Sequence, residues 1–191
     1  MKRIILVAAA ALMAFAANAQ DVKFAYVDFN ELVMLMPEMD EARAAIEENS
    51  RINEEAYRDM VTEYQTKVQQ YEQKSSTWTA SVLEAKQREI MQIEQSLQQA
   101  QQDFSQEIQE LQQRLQAPIL EKATTVVNEL AKAKGIAAVF EKSSFLYVDS
   151  EQLFDLTPEA RVALNIPEGR TLETLQAEMM AKAQAQAASQ E

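Results

Sequence analysis

The chain has 191 residues, 30 acidic and 18 basic, with a net charge of −12, and it contains no cysteine and no histidine. These absences exclude disulfides, the usual zinc sites, thiol nucleophiles and imidazole acid–base chemistry, and two glycines cannot build a phosphate-binding loop. We therefore predict no enzymatic activity, no catalytic or metal site, no cofactor and, because an acidic surface repels phosphates, no nucleic-acid partner.

The first 19 residues have the pattern of a secretory signal peptide. Lys2 and Arg3 precede an apolar run, and the small residues Ala17 and Ala19 flank the expected cut site. A membrane anchor is the alternative interpretation, but about 14 apolar residues are too few to cross ~30 Å of hydrocarbon. Residues 1–19 are therefore expected to be cleaved on export, and the remaining chain is expected to have no stable membrane insertion.

Residues 20–37 are predicted to form the first part of a small strand-bearing body. The stretch VKFAYVDF is rich in β-branched and aromatic residues and predicts a strand. A helical turn is expected to follow, from Asn30 as its N-cap to Met36. Pro37 is predicted to mark the point where a helical arm joins this body, because proline interrupts helical hydrogen bonding.

Residues 38–117 are predicted to be that arm, because they contain no glycine or proline and are rich in helix-forming residues. Two apolar stripes have helical spacing, with six steps over 21 residues in the first, where Ser75 fills the one gap, and eight steps over 29 in the second. The stripes are Tyr57, Val61, Tyr64, Val68, Tyr71 and Trp78, and then Ile90, Ile93, Leu97, Ala100, Phe104, Ile108, Leu111, Leu115 and Ile119. Stripes this narrow bury one side of each helix and leave the rest in water.

The polar stretch KSSTWTAS, residues 74–81, is predicted to reverse the chain. Its serines and threonines compete with the helical backbone for hydrogen bonds, and it lies midway between Pro37 and Pro118. Folding there makes the stripes face each other in an antiparallel hairpin about 60 Å long, with Tyr57 near Gln98. The two prolines then lie at the arm-body joints, and a mild kink at Pro118 within a continuous helix is an equal alternative to a break.

Residues 118–167 are predicted to form the second part of the body. A helix is expected to stop at Gly135, followed by a β-hairpin of IAAVFEK and FLYVD and by a helix with Thr157 as N-cap and Pro158 at its first position. So few elements bury little surface, and open sheet edges invite pairing, so we expect oligomerisation through the body. Residues 168–191 are predicted to be a low-complexity tail that is frayed near its end.

The expected fold is mainly α, with a long antiparallel helical hairpin on a small β body. In their order and spacing, these features resemble the Skp/OmpH family of periplasmic chaperones. The resemblance rests on KFAYVDFNELVMLMPEMDEA, on the long charged helical region and on APILEKATTVVNELAKAKGIAAVFEKSSFLYVDSEQLFDLTPEARVAL. It implies a homotrimer in which strand-rich bodies form a hub and helical hairpins project around a cavity.

The resemblance also implies a function, the holding of unfolded outer-membrane proteins without ATP on their way to the outer membrane. A periplasmic coiled-coil scaffold or adaptor that binds one folded partner is the alternative. The best-known members of the family are basic, whereas residues 38–117 here carry 16 acidic and 8 basic side chains. We therefore expect client holding to rest on apolar and aromatic surface of the arm, or on clients with basic segments.

Aromatic side chains of the arm are the candidate client contacts. Tyr57, Tyr64 and Tyr71 lie in the first stripe, where packing is the alternative role. Trp78 lies at the predicted tip, where it either closes the turn or is exposed to clients. Three methionines could offer an adaptable surface but are expected to pack in the core or at the joint: Met34, Met36 and Met39.

Overall fold

The computed structural model describes residues 22–149 and 151–188, and these form two compact units. The strand-bearing unit contains the described residues up to Leu35 and from Lys122 onward, and the helical unit is Met36–Glu121. The predicted signal peptide lies outside the described residues. Of the helices in the described ranges, none combines the length and the apolar character that a membrane span requires.

The described chain is mostly helical and has a small sheet, which is the fold class predicted from the sequence. In chain order the elements are β1 (Lys23–Val27), α1 (Phe29–Leu35), α2 (Pro37–Lys74), α3 (Ala80–Lys134), β2 (Ile136–Glu141), β3 (Phe154–Asp155), α4 (Thr157–Ala163) and α5 (Leu172–Ala188). Short 3₁₀ turns occur at Ser75–Thr77 and Lys142–Ser144.

The sheet is built around β1, which lies between β2 and β3 and runs parallel to both. Tyr26 in β1 stands opposite Phe140 in β2 and Asp155 in β3. Parallel neighbours need a long connection between them, and the connection from β1 to β2 contains the whole helical unit. The sheet therefore joins segments that are far apart in the sequence.

The predicted β-hairpin between residues 136–142 and 145–149 is wrong. β2 is a strand, but residues 145–149 are not, and the third strand is Phe154–Asp155. A tight hairpin needs turn residues that adopt positive φ, such as Asn-Gly, whereas Lys142–Ser144 forms a 3₁₀ turn. The chain therefore leaves β2 without pairing back onto it, and β2 pairs with β1 instead.

The strand-bearing unit has a small core. Along β1, Ala25 and Val27 are buried while Phe24 is exposed, as expected for a strand with one covered face. The other buried apolar residues of this unit belong to its helices and to the segments next to them: Leu32, Val33, Leu35, Ala123, Val127, Ala131, Leu156, Ala160, Leu164, Ile166 and Leu175. Both sequence-distant parts of the unit therefore contribute to one core.

Helix α1 begins at Phe29, so the prediction of Asn30 as its N-cap is wrong. Asp28 caps the helix, because its Oδ1 accepts a hydrogen bond of 3.0 Å from Glu31 N. Asp28 N also donates to Thr157 Oγ1 over 3.0 Å. The Thr157 hydroxyl, predicted to cap α4, thus contacts the end of β1.

Helix α4 starts one residue earlier than predicted. Its N-cap is Leu156, so Thr157 is its first residue and Pro158 its second. Thr157 N donates to Asp155 Oδ1 over 2.9 Å, which gives a partner to one of the N–H groups that a helix start leaves without an intrahelical acceptor. The side chain that caps this helix therefore comes from β3.

The helical unit contains two antiparallel helices, as predicted. α2 ends at Lys74 and α3 begins at Ala80, so the chain reverses within the predicted polar stretch. Several hydrogen bonds between the helices join pairs centred on residue 78 or 79, among them Asn49 with Glu107, Tyr57 with Gln101, and Tyr71 with Gln87. These partners establish the register of the hairpin.

The observed partner of Tyr57 is three residues beyond the predicted Gln98. The Gln101 Nε2 atom donates to Tyr57 Oη over 3.1 Å. Helical side chains lean toward the N-terminus of their own helix, so a long glutamine amide reaches back by nearly one turn. Backbone symmetry alone could not predict this contact.

The two prolines occupy different helical positions. Pro37 is the first residue of α2, and Pro118 lies inside α3, which continues to Lys134. Of the two alternatives for Pro118, the structure has the continuous helix. The predicted helix stop is confirmed, because Gly135 follows α3 with a φ of 65°, a conformation that glycine adopts without steric cost.

The chain after residue 167 is helical over much of its length. Helix α5 covers Leu172–Ala188, and reciprocal hydrogen bonds of 2.9 Å and 3.2 Å between Thr171 and Thr174 fix its start. Its alanine, glutamine, glutamate and lysine residues have high helix propensity. The expectation of frayed chain is therefore wrong as far as Ala188, and residues 189–191 lie outside the described ranges.

Candidate functional site

The apolar stripes of the helical unit are only partly covered. In residues 43–118, all of which the structure describes, every side chain is half-buried or exposed. The stripe residues from Tyr57 to Leu115 are half-buried. Because two antiparallel helices cover each other on one side only, apolar and aromatic surface stays accessible along the hairpin.

An open groove with a volume of about 780 Å³ lies between α2 and α3. We call it the arm groove. Its apolar residues are Tyr57 and Val61 from α2 and Phe104 and Ile108 from α3. Its polar residues are Ser50, Asn53, Glu54, Arg58, Gln101, Ser105, Gln109 and Gln112. The groove therefore combines an apolar floor with walls of mainly uncharged polar side chains.

Hydrogen bonds hold several wall residues in place. Gln101 Nε2 donates to Tyr57 Oη, which fixes the tyrosine ring across the groove. Ser105 Oγ donates to Gln101 O over 2.8 Å, and Asn53 Nδ2 donates to Asn49 Oδ1 over 3.1 Å. The polar walls are thus partly ordered by the hairpin itself.

The tip of the hairpin carries a second aromatic contact. The rings of Tyr71 and Trp78 meet edge to face, with centroids 6.0 Å apart, and Tyr71 Oη accepts a hydrogen bond of 2.7 Å from Gln87 Nε2. Trp78 is half-buried. It therefore packs at the turn and still presents part of its ring to solvent.

The four predicted client contacts do not form one site. Tyr57 lines the arm groove, Tyr71 and Trp78 meet at the tip, and Tyr64 lies half-buried in the seam between these places. The prediction missed the groove, although the second stripe contained Phe104 and Ile108. The register that brings them near Tyr57 is centred on residue 79 and is set by hydrogen bonds between the helices.

An ion-pair cluster ties the helices together between groove and tip. Glu89 accepts hydrogen bonds from Lys67 on the opposite helix and from Lys86 on its own, the latter over 2.7 Å. The bond from Lys67 and then that from Lys86 lower the pKa of Glu89 to about 2, and the bond to Glu89 raises the pKa of Lys67. The cluster is a link between helices, and its carboxylate stays ionised at neutral pH.

In the ranges 22–149 and 151–188, no group of three or more acidic side chains lies close enough to hold a metal ion. Some acidic residues of the helical unit instead pair with nearby bases, as Glu48 and Glu55 do with Arg51.

Several aromatic and apolar side chains on the three strands and on the segment after β2 are exposed or half-buried. We call them the sheet patch: Phe24, Phe140, Phe145, Leu146, Tyr147 and Phe154. The ring centroids of Phe24 and Phe140 are 6.1 Å apart, and those of Phe140 and Phe145 are 5.6 Å apart. Accessible apolar side chains that adjoin one another, as these three rings do, mark interaction sites in folded proteins.

The three methionines singled out in the sequence have two environments. Met36 and Met39 are buried, as expected, whereas Met34 is half-buried. Met34 lies in a groove of about 480 Å³ within the strand-bearing unit. The other residues of this groove all belong to α5: Leu172, Leu175, Gln176, Met179, Met180 and Ala183.

Comparisons with known proteins agree with this architecture. Residues 23–164 match the OmpH family, whose description is Outer membrane protein (OmpH-like). Among solved structures, the chain is similar to an OmpH-like protein of Caulobacter crescentus described as an outer membrane chaperone, with a TM-score of 0.68 and 12% sequence identity. The match covers 75% of this chain and 84% of that chain, and at this identity it indicates a shared fold alone. Among curated proteins, none matches.

Proposed function

We propose, because the chain belongs to the OmpH-like outer membrane protein family, that it is an ATP-independent periplasmic holdase. It binds unfolded outer-membrane proteins and prevents their aggregation in transit to the outer membrane. One observation carries the proposal: the seam of the helical unit offers half-covered apolar surface along two long helices. Unfolded chains expose apolar segments, and contact with this surface removes them from water.

The proposed working form is a homotrimer assembled through the sheet patch. In the single chain, this patch leaves aromatic side chains in water on a unit with a small core. Association that covers such side chains contributes free energy in proportion to the apolar area buried. A shared hub of sheet patches therefore stabilises both the assembly and the unit that carries it.

Residues 1–19 are, in this proposal, a signal peptide removed on export to the periplasm. The proposed body is residues 20–37 and 118–167, the arm is residues 38–117, and residues 168–191 form a C-terminal extension. The arm residues that contact the client are Tyr57, Tyr64, Tyr71 and Trp78. The arm-body joints are at Pro37 and Pro118.

An aggregation assay tests the proposed function. An unfolded β-barrel outer-membrane protein is diluted from urea into buffer with or without residues 20–191 of this chain, and light scattering is followed. We expect the chain to suppress scattering at a near-equimolar ratio of trimer to client without added ATP. Scattering that is unchanged by a folded, trimeric preparation would overturn the proposal in favour of a scaffold that binds one folded partner.

A further inference from the structure

The arm groove differs in charge from the helices that form it. Residues 38–117 carry 16 acidic and 8 basic side chains, but the groove is lined by one residue of each sign, Glu54 and Arg58. The acidic surplus therefore lies elsewhere on the hairpin, and the groove has no net charge. Because burying a charge without a partner is costly, a neutral groove complements an uncharged ligand.

The walls of the groove carry side chains that can form hydrogen bonds with a peptide backbone. Glutamine and asparagine side chains contain the same amide donor and acceptor groups as the main chain, and serine hydroxyls both donate and accept. Six wall residues are of these types: Ser50, Asn53, Gln101, Ser105, Gln109 and Gln112. The floor of Tyr57, Val61, Phe104 and Ile108 accepts apolar side chains. An extended polypeptide presents both kinds of group at once.

The length of the groove suits a short extended segment. Its lining runs from Ser50 to Val61 on α2 and from Gln101 to Gln112 on α3. Eleven helical residues measure about 16 Å, which corresponds to about five residues of extended chain. In such a chain, every second side chain points to the same side. Two or three side chains can thus enter the groove while those between them face water.

We infer that the arm groove binds an extended, uncharged segment of an unfolded polypeptide in which apolar or aromatic side chains alternate with polar ones. This inference rests on the proposed function and names the segment that the holdase recognises. Membrane-spanning β-strands alternate in this way along about ten residues each. An unfolded β-barrel protein therefore carries one such segment per strand.

The chain contains no cysteine, so a single introduced thiol reports on one position. Ser105→Cys places the thiol in the arm groove, and Ser96→Cys places it outside the groove on the same helix. The two sites are matched, because both serines are exposed and each donates to the carbonyl four residues earlier, over 2.8 Å for Ser105 and 2.9 Å for Ser96.

Each variant of residues 20–191 is labelled on its thiol with a benzophenone crosslinker and irradiated with synthetic peptides. One peptide alternates valine or phenylalanine with threonine or glutamine. A second has the same composition with its apolar residues in one block, and a third replaces the polar residues of the first by lysine. Mass spectrometry then gives the yield of crosslinked product for each pair.

We expect the alternating peptide to crosslink about tenfold more with the Ser105→Cys variant than with the Ser96→Cys variant, corresponding to about a tenfold difference in local affinity. Its yield should exceed those of the block and lysine peptides, and it should persist in about 0.5 M NaCl, where charge attraction is screened within a few Å. Equal yields from the two variants, or from the alternating and block peptides, would overturn the inference. Crosslinks between copies of the chain without peptide would also overturn it, since a second copy would then fill the groove.

The unmodified chain of residues 20–191 is tested for suppression of client aggregation. If it suppresses aggregation but crosslinking has no site preference, the holdase function stands and the groove assignment fails. If it does not suppress aggregation, the proposed function itself fails. The two failures are therefore distinguishable.

Discussion

The two units of this molecule differ in how completely they bury apolar side chains. The strand-bearing unit encloses side chains such as Leu32 and Leu35 completely, whereas the helical unit leaves every side chain of residues 43–118 in some contact with water. The helical unit instead relies on contacts between nearby turns of its two helices, such as the pair of Lys67 and Glu89. The contrast indicates that the enclosed core lies in the strand-bearing unit, whereas the hairpin offers half-covered apolar surface along most of its length.

Shortening the hairpin is expected to have the largest effect. Residues 54–67 and 90–103 face each other in the register set by Tyr57 with Gln101 and Tyr71 with Gln87, and each segment is two heptads long, so their joint removal keeps the stripes in phase. Client protection should be lost because the deletion removes Tyr57 and Val61, the α2 half of the apolar floor of the arm groove, while the trimer remains. Light scattering and native mass measure the two outcomes. A deletion variant that becomes monomeric would place the interface in the hairpin and contradict the proposed division of roles.

Truncating an apolar side chain should lower the free energy of unfolding more in the strand-bearing unit than in the helical unit. Leu35→Ala removes a fully buried side chain and should lower the free energy of unfolding by about 2–5 kcal/mol. Val68→Ala, in the half-buried seam, should cost less than about 1 kcal/mol, because less apolar area returns to water. Urea denaturation at one protein concentration compares them. Equal costs would mean that the seam is as well packed as the core.

Changing the sheet patch should weaken assembly without unfolding the chain. Leu146 is fully exposed and Tyr147 is 81% exposed, so replacing both by serine removes little from the fold of one chain. The dissociation constant of the trimer should rise by at least about thirtyfold, the effect of losing about 2 kcal/mol at an interface hot spot. Analytical ultracentrifugation measures the change. Val162→Ser is the control, because Val162 is 77% exposed in the same unit but outside the patch.

The smallest expected effect is the acid dependence of the hairpin. Bonds from Lys67 and Lys86 lower the pKa of Glu89 from 4.5 to about 2. A depressed pKa stabilises the fold above the unfolded value, so this contribution is complete above about pH 4.5 and is lost as the pH falls toward about 2. Glu89→Gln should make the melting temperature vary less with pH across this window. Glu94→Gln, which replaces an exposed carboxylate on the same helix, should not have this effect. Identical profiles for both variants would exclude Glu89 as the titrating group.

Local sequence signals predicted the elements whose partners lie nearby along the chain. The helical hairpin followed from a stretch without glycine or proline, two apolar stripes and one polar turn, and the end of α3 followed from Gly135. Strand pairing was not predictable in this way, because β1 pairs with segments that follow the whole helical unit. The rule that strands close in sequence pair as hairpins predicted a hairpin in residues 136–149. This segment lacks the residues that a tight hairpin turn requires.

The candidate site was predicted in part, for a related reason. The aromatic stripe identified Tyr57, but the arm groove requires Phe104 and Ile108 to lie opposite it, and a shift of three residues changes which side chains meet. Midpoint symmetry gives the register only to within about a turn of helix. The lean of the Gln101 side chain, which sets the observed contact, is visible only with atomic positions.

The position of the helical unit between β1 and β2 has a consequence for the order of folding. β1 is near the start of the described chain and cannot find its partners until residues 136–141 and 154–155 have been made or exported. The hairpin closes around Ser75–Thr77 with local contacts, and rapid folding is typical of such topologies. Once closed, it shortens the effective loop between β1 and β2, and each halving of a loop lowers its closure cost by about 0.6 kcal/mol. We therefore expect the hairpin to form first and to bring together β1 and β2, which the whole helical unit separates in the sequence.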